Sequence, residues 1–358
     1  MERFSFPGVC CLSSTKYRVR MKKISSGQTR ASIGIDIGGT KSLYALLDSK
    51  FEVLAEKKLQ THPDKGGVRA FTKIFGGTVR ELMSEAQRRG LKVKYVGVGC
   101  AGDIDHKRGI IRDSPNLSFL AGYPMRDKLE RFTRAKVHIG HDVQSALYGE
   151  LKHGVARKAR HVIAVWLGTG VGGALVLDRK LHLGVSGQAG DLGNYLLHSV
   201  DVSQELPRKE TLDNVASRTA IAGDAAALAA SHRAPHLQKT AGTDVRDIKA
   251  SLLADAVRQG DKAVAKLVSS RAGVVGAALS NLVDFLNPDL IVLGGGLVEA
   301  MPELMRRQVQ NAITAHCAPK AAKAVKVRVS KLLGHAGTIG AASLAADMFS
   351  ADPPIEYP

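Results

Sequence analysis

Apolar and polar positions along this chain follow two rhythms that alternate in order. Residues 33–37, 43–47 and 51–56 are short apolar runs that read as consecutive strands, with Asp48-Ser49-Lys50 as a turn. Over residues 68–88, Phe71, Ile74, Phe75, Val79, Leu82 and Met83 recur on one side of a helix that Gly90 ends. Residues 93–99 form the next strand and open into Ala101-Gly102-Asp103-Ile104-Asp105. A helix over 124–132 leads to a strand at 137–139, then to Gly140-His141-Asp142 and a helix over 143–154.

The opening arrangement then recurs. Residues 160–167 are a strand ending in Gly168-Thr169-Gly170-Val171-Gly172-Gly173, and 174–177 continue as another. Two strand–glycine-turn–strand units in one chain predict an internally duplicated fold, which can hold a nucleotide in the cleft between its halves. The later part is mainly helical, over 215–230, 248–258 and 263–287, with Gly260-Asp261 breaking the second from the third. Residues 290–293 are a buried strand ending in Gly294-Gly295-Gly296, where either a flat base approaches the backbone or the chain simply turns. A strand at 325–329 and a small-residue helix at 337–348 complete the pattern. That helix, with Gly340, Ala341 and Ala342, is expected to cross back to the first domain and close the hinge.

At 358 residues the chain is long enough for two cores. Its 44% apolar and 23% charged residues match a soluble globular protein, and no run of 18 apolar residues predicts a membrane span. Residues 1–28 form a basic extension, flexible by composition and without the apolar centre of a secretory signal; Met21 offers a second start. Four cysteines, two adjacent at Cys10 and Cys11, make neither a disulfide framework nor a metal cluster, which fits a reducing, cytoplasmic setting. The net charge of +18 is not interleaved with aromatics, which are 5% of the chain, so a nucleic-acid partner is not expected.

The chemistry starts at Asp36-Ile37-Gly38-Gly39-Thr40-Lys41. Glycines after a strand let backbone amides approach phosphate oxygens, and Asp36 there can orient a metal-bound water; a plain turn capped by Asp36 has the same sequence. The longer glycine-rich P-loop consensus is absent. Asp142, at a strand-to-helix junction, has the position of a reacting carboxylate in an α/β protein and equally that of a helix cap.

Together these segments resemble the ROK family of sugar kinases, within the ribonuclease-H-like superfamily of hexokinases, actin and heat-shock ATPases. The resemblance covers about residues 31–347 and rests on five ordered motifs: 36–41, Asp113-Ser114-Pro115-Asn116-Leu117, 167–173, Ala189-Gly190-Asp191-Leu192-Gly193, and 287–296. It implies an α/β, duplicated actin-like ATPase fold, with 29–143 plus 335–350 as the first domain and 144–334 as the larger second domain. It further implies ATP and Mg²⁺, with Asp36 positioning the ion through water and Gly38, Gly39, Thr40 and Lys41 facing the terminal phosphates. Gly168, Thr169 and Gly170 correspond to the second phosphate-facing turn, and Gly294 and Gly295 to residues beside the nucleoside. Asn116 corresponds to a contact with sugar hydroxyls and Asp142 to the base that takes the proton of the attacking hydroxyl. A homodimer through the second domain is implied as well.

The chain departs from the family on the acceptor side. His141 stands where Asn is usual, and Gly190-Asp191-Leu192-Gly193-Asn194 replaces Gly-Glu-x-Gly-His. Asp191 and Asn194 keep acceptor and donor chemistry with shorter reach, so glucose is not assured as the acceptor. The usual cysteine cluster after this motif is missing, hence no structural zinc is expected and His198 is read as a surface or packing residue. Two other functions share the layout: a sugar sensor with weak or lost catalysis, and a kinase using polyphosphate.

Overall fold

The computed structural model describes residues 30–62, 66–114, 116–197, 210–351 and 353–355, with residues 17–19 placed as a strand. The first part contains β1 (Tyr17–Val19), β2 (Arg30–Ile37), β3 (Lys41–Leu47), β4 (Val53–Gln60), α1 (Gly67–Arg88), β5 (Lys92–Cys100), the hairpin β6 (Asp103–Asp105) and β7 (Ile110–Asp113), α2 (Met125–Thr133), β8 (Lys136–His141) and α3 (Asp142–His153). Its main sheet has the order β1-β4-β3-β2-β5-β8. β2, β3 and β4 are an antiparallel meander, while β5 and β8 run parallel to β2.

The second part repeats this plan with β9 (Val162–Leu167), β10 (Val171–Leu177), β11 (Lys180–His182), α4 (Leu212–Ala216), α5 (Arg218–Ala230), α6 (Pro235–Ala241), α7 (Ala250–Arg258), α8 (Lys262–Leu286), β12 (Leu290–Gly294), α9 (Gly296–Ala300), α10 (Pro302–His316), α11 (Pro319–Ala324) and β13 (Lys326–Val329). Its order is β11-β10-β9-β12-β13, again an antiparallel meander followed by two parallel strands. Strand for strand this is the order β4-β3-β2-β5-β8, so the duplication expected from two glycine turns extends to both sheets. Helix α12 (Ala336–Met348) closes the chain.

Apolar patterning explains the layers. Phe71, Phe75, Val79 and Leu82 of α1 bury against Ile33, Ile35 and Val98 on one face of the first sheet. In the second part Val264, Val268, Val275 and Leu279 of α8 pack with Val165, Ile291 and Leu293. Among the described residues α8 alone is long and apolar enough to cross a bilayer, and this stripe is buried in the core. A third core joins the halves, with Val143 and Leu147 of α3 and Leu344 of α12 against Val176 and Val292.

Helix α12 approaches the first sheet unusually closely because its neighbours lack side chains. A Cβ on Gly34 or Gly97 would enter the carbonyls of Thr338 and Ala341, and one on Gly340 would enter the Ser145 carbonyl. The small-residue helix of the sequence is thus held against β2, β5 and α3.

Local differences from the pattern have local causes. The single helix expected over 215–230 breaks at extended Ser217, whose hydroxyl caps α5 by accepting from Ala220 N at 3.2 Å. Helix α10 was not anticipated, although Pro302 opens it and Met305, Val309 and Ile313 are its buried stripe. β1, from within the basic extension, covers the outer edge of β4.

Candidate active site

The ends of the parallel strands and the two glycine turns enclose a cavity of 540 Å³ between the halves. Asp36, near the end of β2, and Asp142, just past β8, reach it from strands on either side of β5, the usual place for a site in a parallel sheet. Asp142 opens α3, and its Oδ1 accepts from Val143 N at 2.8 Å. The N-cap position itself falls to His141, which makes no side-chain capping bond, so the cap reading of Asp142 does not hold. Among the described residues Oδ2 has no hydrogen-bond partner, and the residue lines the cavity.

Burial, and then the like charge of Asp142, push the Asp36 carboxyl up to about 7, with Lys58 pulling the other way. The Cys100 thiol between them is pushed well up by burial and by both carboxylates. Gly337, in the first turn of α12, packs directly on the Asp36 carboxylate: an ideal Cβ there would stand 2.5 Å from Oδ2. Asp36 thus lies against the N-terminus of the helix that joins the halves.

Both glycine turns are held in shape by backbone bonds. Gly38 N donates to Lys41 O at 3.2 Å and Gly168 N to Gly170 O at 2.9 Å. Thr40 Oγ1 and Thr169 Oγ1 meet across the cleft at 3.4 Å. The second turn is braced from α4 and α5: Asp213 Oδ1 accepts from Val171 N at 2.6 Å, and Thr219 Oγ1 donates to Thr169 O at 2.8 Å. Asp213 was missed in the sequence, where it stands in no local motif, and Gly337 was read there only as part of the small-residue helix.

Of the residues singled out in the sequence, Asp36, Gly38, Gly39, Asn116, His141, Asp142, Gly168, Thr169, Gly170 and Asp191 all line the cavity. His141 Nδ1 lies 3.1 Å from Asp142 Oδ1, in ion-pair range but without an aligned hydrogen bond. Asn194 is outside the lining and donates from Nδ2 to Asp191 Oδ2 at 2.7 Å. Thr40 and Lys41 are exposed beside the lining. Gly294 and Gly295 stand behind it: a side chain on Gly294 would enter the ring of Trp166, which itself lines the cavity, and Gly295 adopts φ 88° against Leu167. The cavity wall also carries Asp103, Asp113, Gln144 and Gln188, and among its described residues there is no lysine or arginine. His198 and Pro115 lie outside the described residues.

The arrangement brings a carboxylate with a free oxygen, a second, partly buried carboxylate and two amide-rich turns around one cavity. Such a site suits transfer of an anionic group to a hydroxyl.

Comparison with known proteins agrees. A glucokinase from Thermotoga maritima is 28% identical over 312 residues, covering 87% of this chain and 96% of the relative. An N-acetylgalactosamine kinase, AgaK, from Shewanella sp. is 27% identical over 310 residues, covering 84% and 96%. The crystal structure of a ROK family glucokinase from Streptomyces griseus in complex with glucose and AMPPNP superposes with TM-score 0.74 at 26% identity, over 88% of this chain and 99% of that one. The fold is therefore the duplicated, two-lobed ribonuclease-H-like fold of the actin-like ATPases. Because the ROK family profile matches residues 32–348, nearly all of the described structure, this chain belongs to the ROK family.

Proposed function

We propose that this protein is an ATP-dependent sugar kinase, transferring the terminal phosphoryl group of ATP to a hydroxyl of a hexose or related sugar. The observation that carries the proposal is Asp142, with an unpartnered carboxylate oxygen in a cavity floored by both glycine turns. In this reading Asp142 orients the acceptor hydroxyl and takes its proton as the sugar oxygen bonds to the terminal phosphorus and the bond to ADP breaks. The amides of the two turns cradle the phosphate oxygens, and Thr40 and Thr169 close over them. Asn116, His141 and Asp191 face the sugar, and closure of the lobes keeps water from the phosphate.

Asp36 suits a divalent ion held through water. Its partly buried carboxylate faces the like charge of Asp142, and a cation there offsets the burial and the repulsion that together lift its pKa to about 7. Among the described residues no group of three or more His, Cys, Asp or Glu is set to hold a bare ion. When bound, Mg²⁺ supplies neutralisation of the phosphate charge. The proposal includes a homodimer, on the family resemblance, and a cytoplasmic setting, on the cysteine pattern with Cys100 and Cys317 buried and free. It includes no structural zinc, which metal analysis of the purified protein checks.

The test is a Mg²⁺–ATP coupled assay over glucose, mannose, fructose and amino sugars, with Asp142→Asn as control. Saturable turnover that Asp142→Asn removes supports the proposal; full turnover in that variant sinks it. Sugar binding without turnover favours the sensor, and competition by polyphosphate decides the donor.

A further inference from the structure

The residues that follow β4 were not part of any motif, yet they touch both sides of the site. Thr61 is buried at 2% exposure, and its Oγ1 donates to the carbonyl of Gly38 at 2.7 Å. With that proton committed, Ser42 Oγ, also buried, donates to Thr61 Oγ1 at 2.9 Å. Thr61 N donates to Thr40 O at 3.0 Å, so one residue ties the phosphate-facing turn by side chain and backbone. The next residue turns to the acceptor side: His62 Nε2 donates to the carbonyl of Asn116 at 2.9 Å, its ring resting on Phe119 at 5.1 Å between centroids. Turn and acceptor residue also touch directly, since a Cβ on Gly39 would stand 2.9 Å from Asn116 Cβ.

We propose that Thr61 and His62 form a positioning clip that fixes the donor turn and Asn116 in register, Thr61 tuning the affinity for ATP and His62 that for the sugar. The assignment of the two substrates rests on the kinase reading; the clip itself rests on the contacts. Rigid placement of groups that touch substrates by residues that do not is a general requirement of such sites. A buried hydroxyl bonded on both sides has little freedom, so its loss frees the turn it holds.

The experiment uses the full chain with Mg²⁺–ATP and glucose, or the hexose that turns over fastest. Thr61→Val removes the hydroxyl at constant shape, and His62→Phe keeps the ring while removing the donor. Thr61→Val is expected to raise KM for ATP about fivefold with the sugar KM within about twofold, the size expected for one lost hydrogen bond, and His62→Phe the reverse. Thr61→Ser and His62→Gln restore the respective values. Equal shifts in both KM values, or a lower kcat with both KM values unchanged, overturn the division of roles. Amide hydrogen exchange of the free protein tests the clip without turnover: Thr61→Val speeds exchange at residues 38–41 and His62→Phe at 116–120. Wild-type exchange at both segments in both variants overturns the clip, whereas faster exchange without wild-type turnover on any sugar supports the clip and overturns only the kinase reading.

Discussion

Gly337→Ala separates the fold from the site. The added methyl carbon would stand 2.5 Å from Asp36 Oδ2, 2.6 Å from its Cγ and 3.0 Å from its Cβ, where ordinary contact starts at 3.4 Å. Either α12 retreats or the carboxylate turns. The helix is blocked, because Thr338 and Ala341 already seat their carbonyls over Gly34 and Gly97, and Gly340 lies against Ser145 O and Gly149 N. The carboxylate is the end of a side chain and gives way by about 1 Å, a misplacement that costs an enzyme about 100-fold in rate. Overpacking costs about 1–3 kcal/mol of stability, which in a chain of this size lowers Tm by only several degrees. The expected result is a folded protein whose kcat/KM falls about 100-fold, close to 2.7 kcal/mol of transition-state stabilisation, with a raised Mg²⁺ requirement. Coupled turnover across a Mg²⁺ titration, beside a melting curve, reads both. Wild-type kcat/KM and Mg²⁺ dependence in a folded Gly337→Ala protein would refute the reasoning, and Gly340→Ala, whose Cβ meets backbone, serves as the variant expected not to fold.

Asp36 keeps its proton up to about 7 when folded and releases it near 3.8 when unfolded, so its contribution to stability is lost as pH rises between those values. Asp36→Asn therefore makes the metal-free protein more stable at pH 8, on the order of 2 kcal/mol after allowance for its partial exposure, while removing turnover; denaturant melts at pH 5 and 8 check the sign. His138 has the opposite slope: burial, with His106 and Arg126 nearby, holds its pKa down to about 3, so stability falls as pH drops from 6.5 towards 3. His138→Gln should flatten that acid limb by an amount on the order of 3 kcal/mol, and a limb equal to wild type in acid titration followed by circular dichroism tells against it. The double change Asp191→Glu, Asn194→His restores the usual reach on the acceptor side, and is expected to shift kcat/KM towards glucose over the other hexoses by about 10-fold in a competition assay.

What the sequence revealed and what it withheld divide along a physical line. Gly38, Gly39, Gly168 and Gly170 were legible because a tight turn after an apolar strand is a local event, written in adjacent residues. Asp142 was legible because the strand ending at His141 and the helix beginning one residue later meet at it. Thr61, His62 and Asp213 act through bonds to residues 23, 54 and 42 positions away, and nothing in their own neighbourhoods announces those partners. Gly337 stood inside a recognised small-residue helix, but that the carboxylate of Asp36 faces it is a fact of packing. Two omissions were avoidable: Ser217 is a good helix cap, and Pro302 with Met305, Val309 and Ile313 spells a helix start and its buried stripe.

The same division explains where this chain has room to differ from its relatives. In the proposed kinase reading the phosphate contacts come from backbone, and the turns that supply them are pinned by Lys41, Gly170, Thr61 and Asp213, so a substitution must disturb geometry shared with the fold. On the side proposed for the acceptor, Asp191 and Asn194 form a pair that satisfies its own hydrogen bond at 2.7 Å. Both side chains are exposed and only Asp191 lines the cavity, so changing them meets no penalty for a buried polar group left unpaired. The acceptor is therefore the property free to vary, within a wall whose described residues include five aspartates.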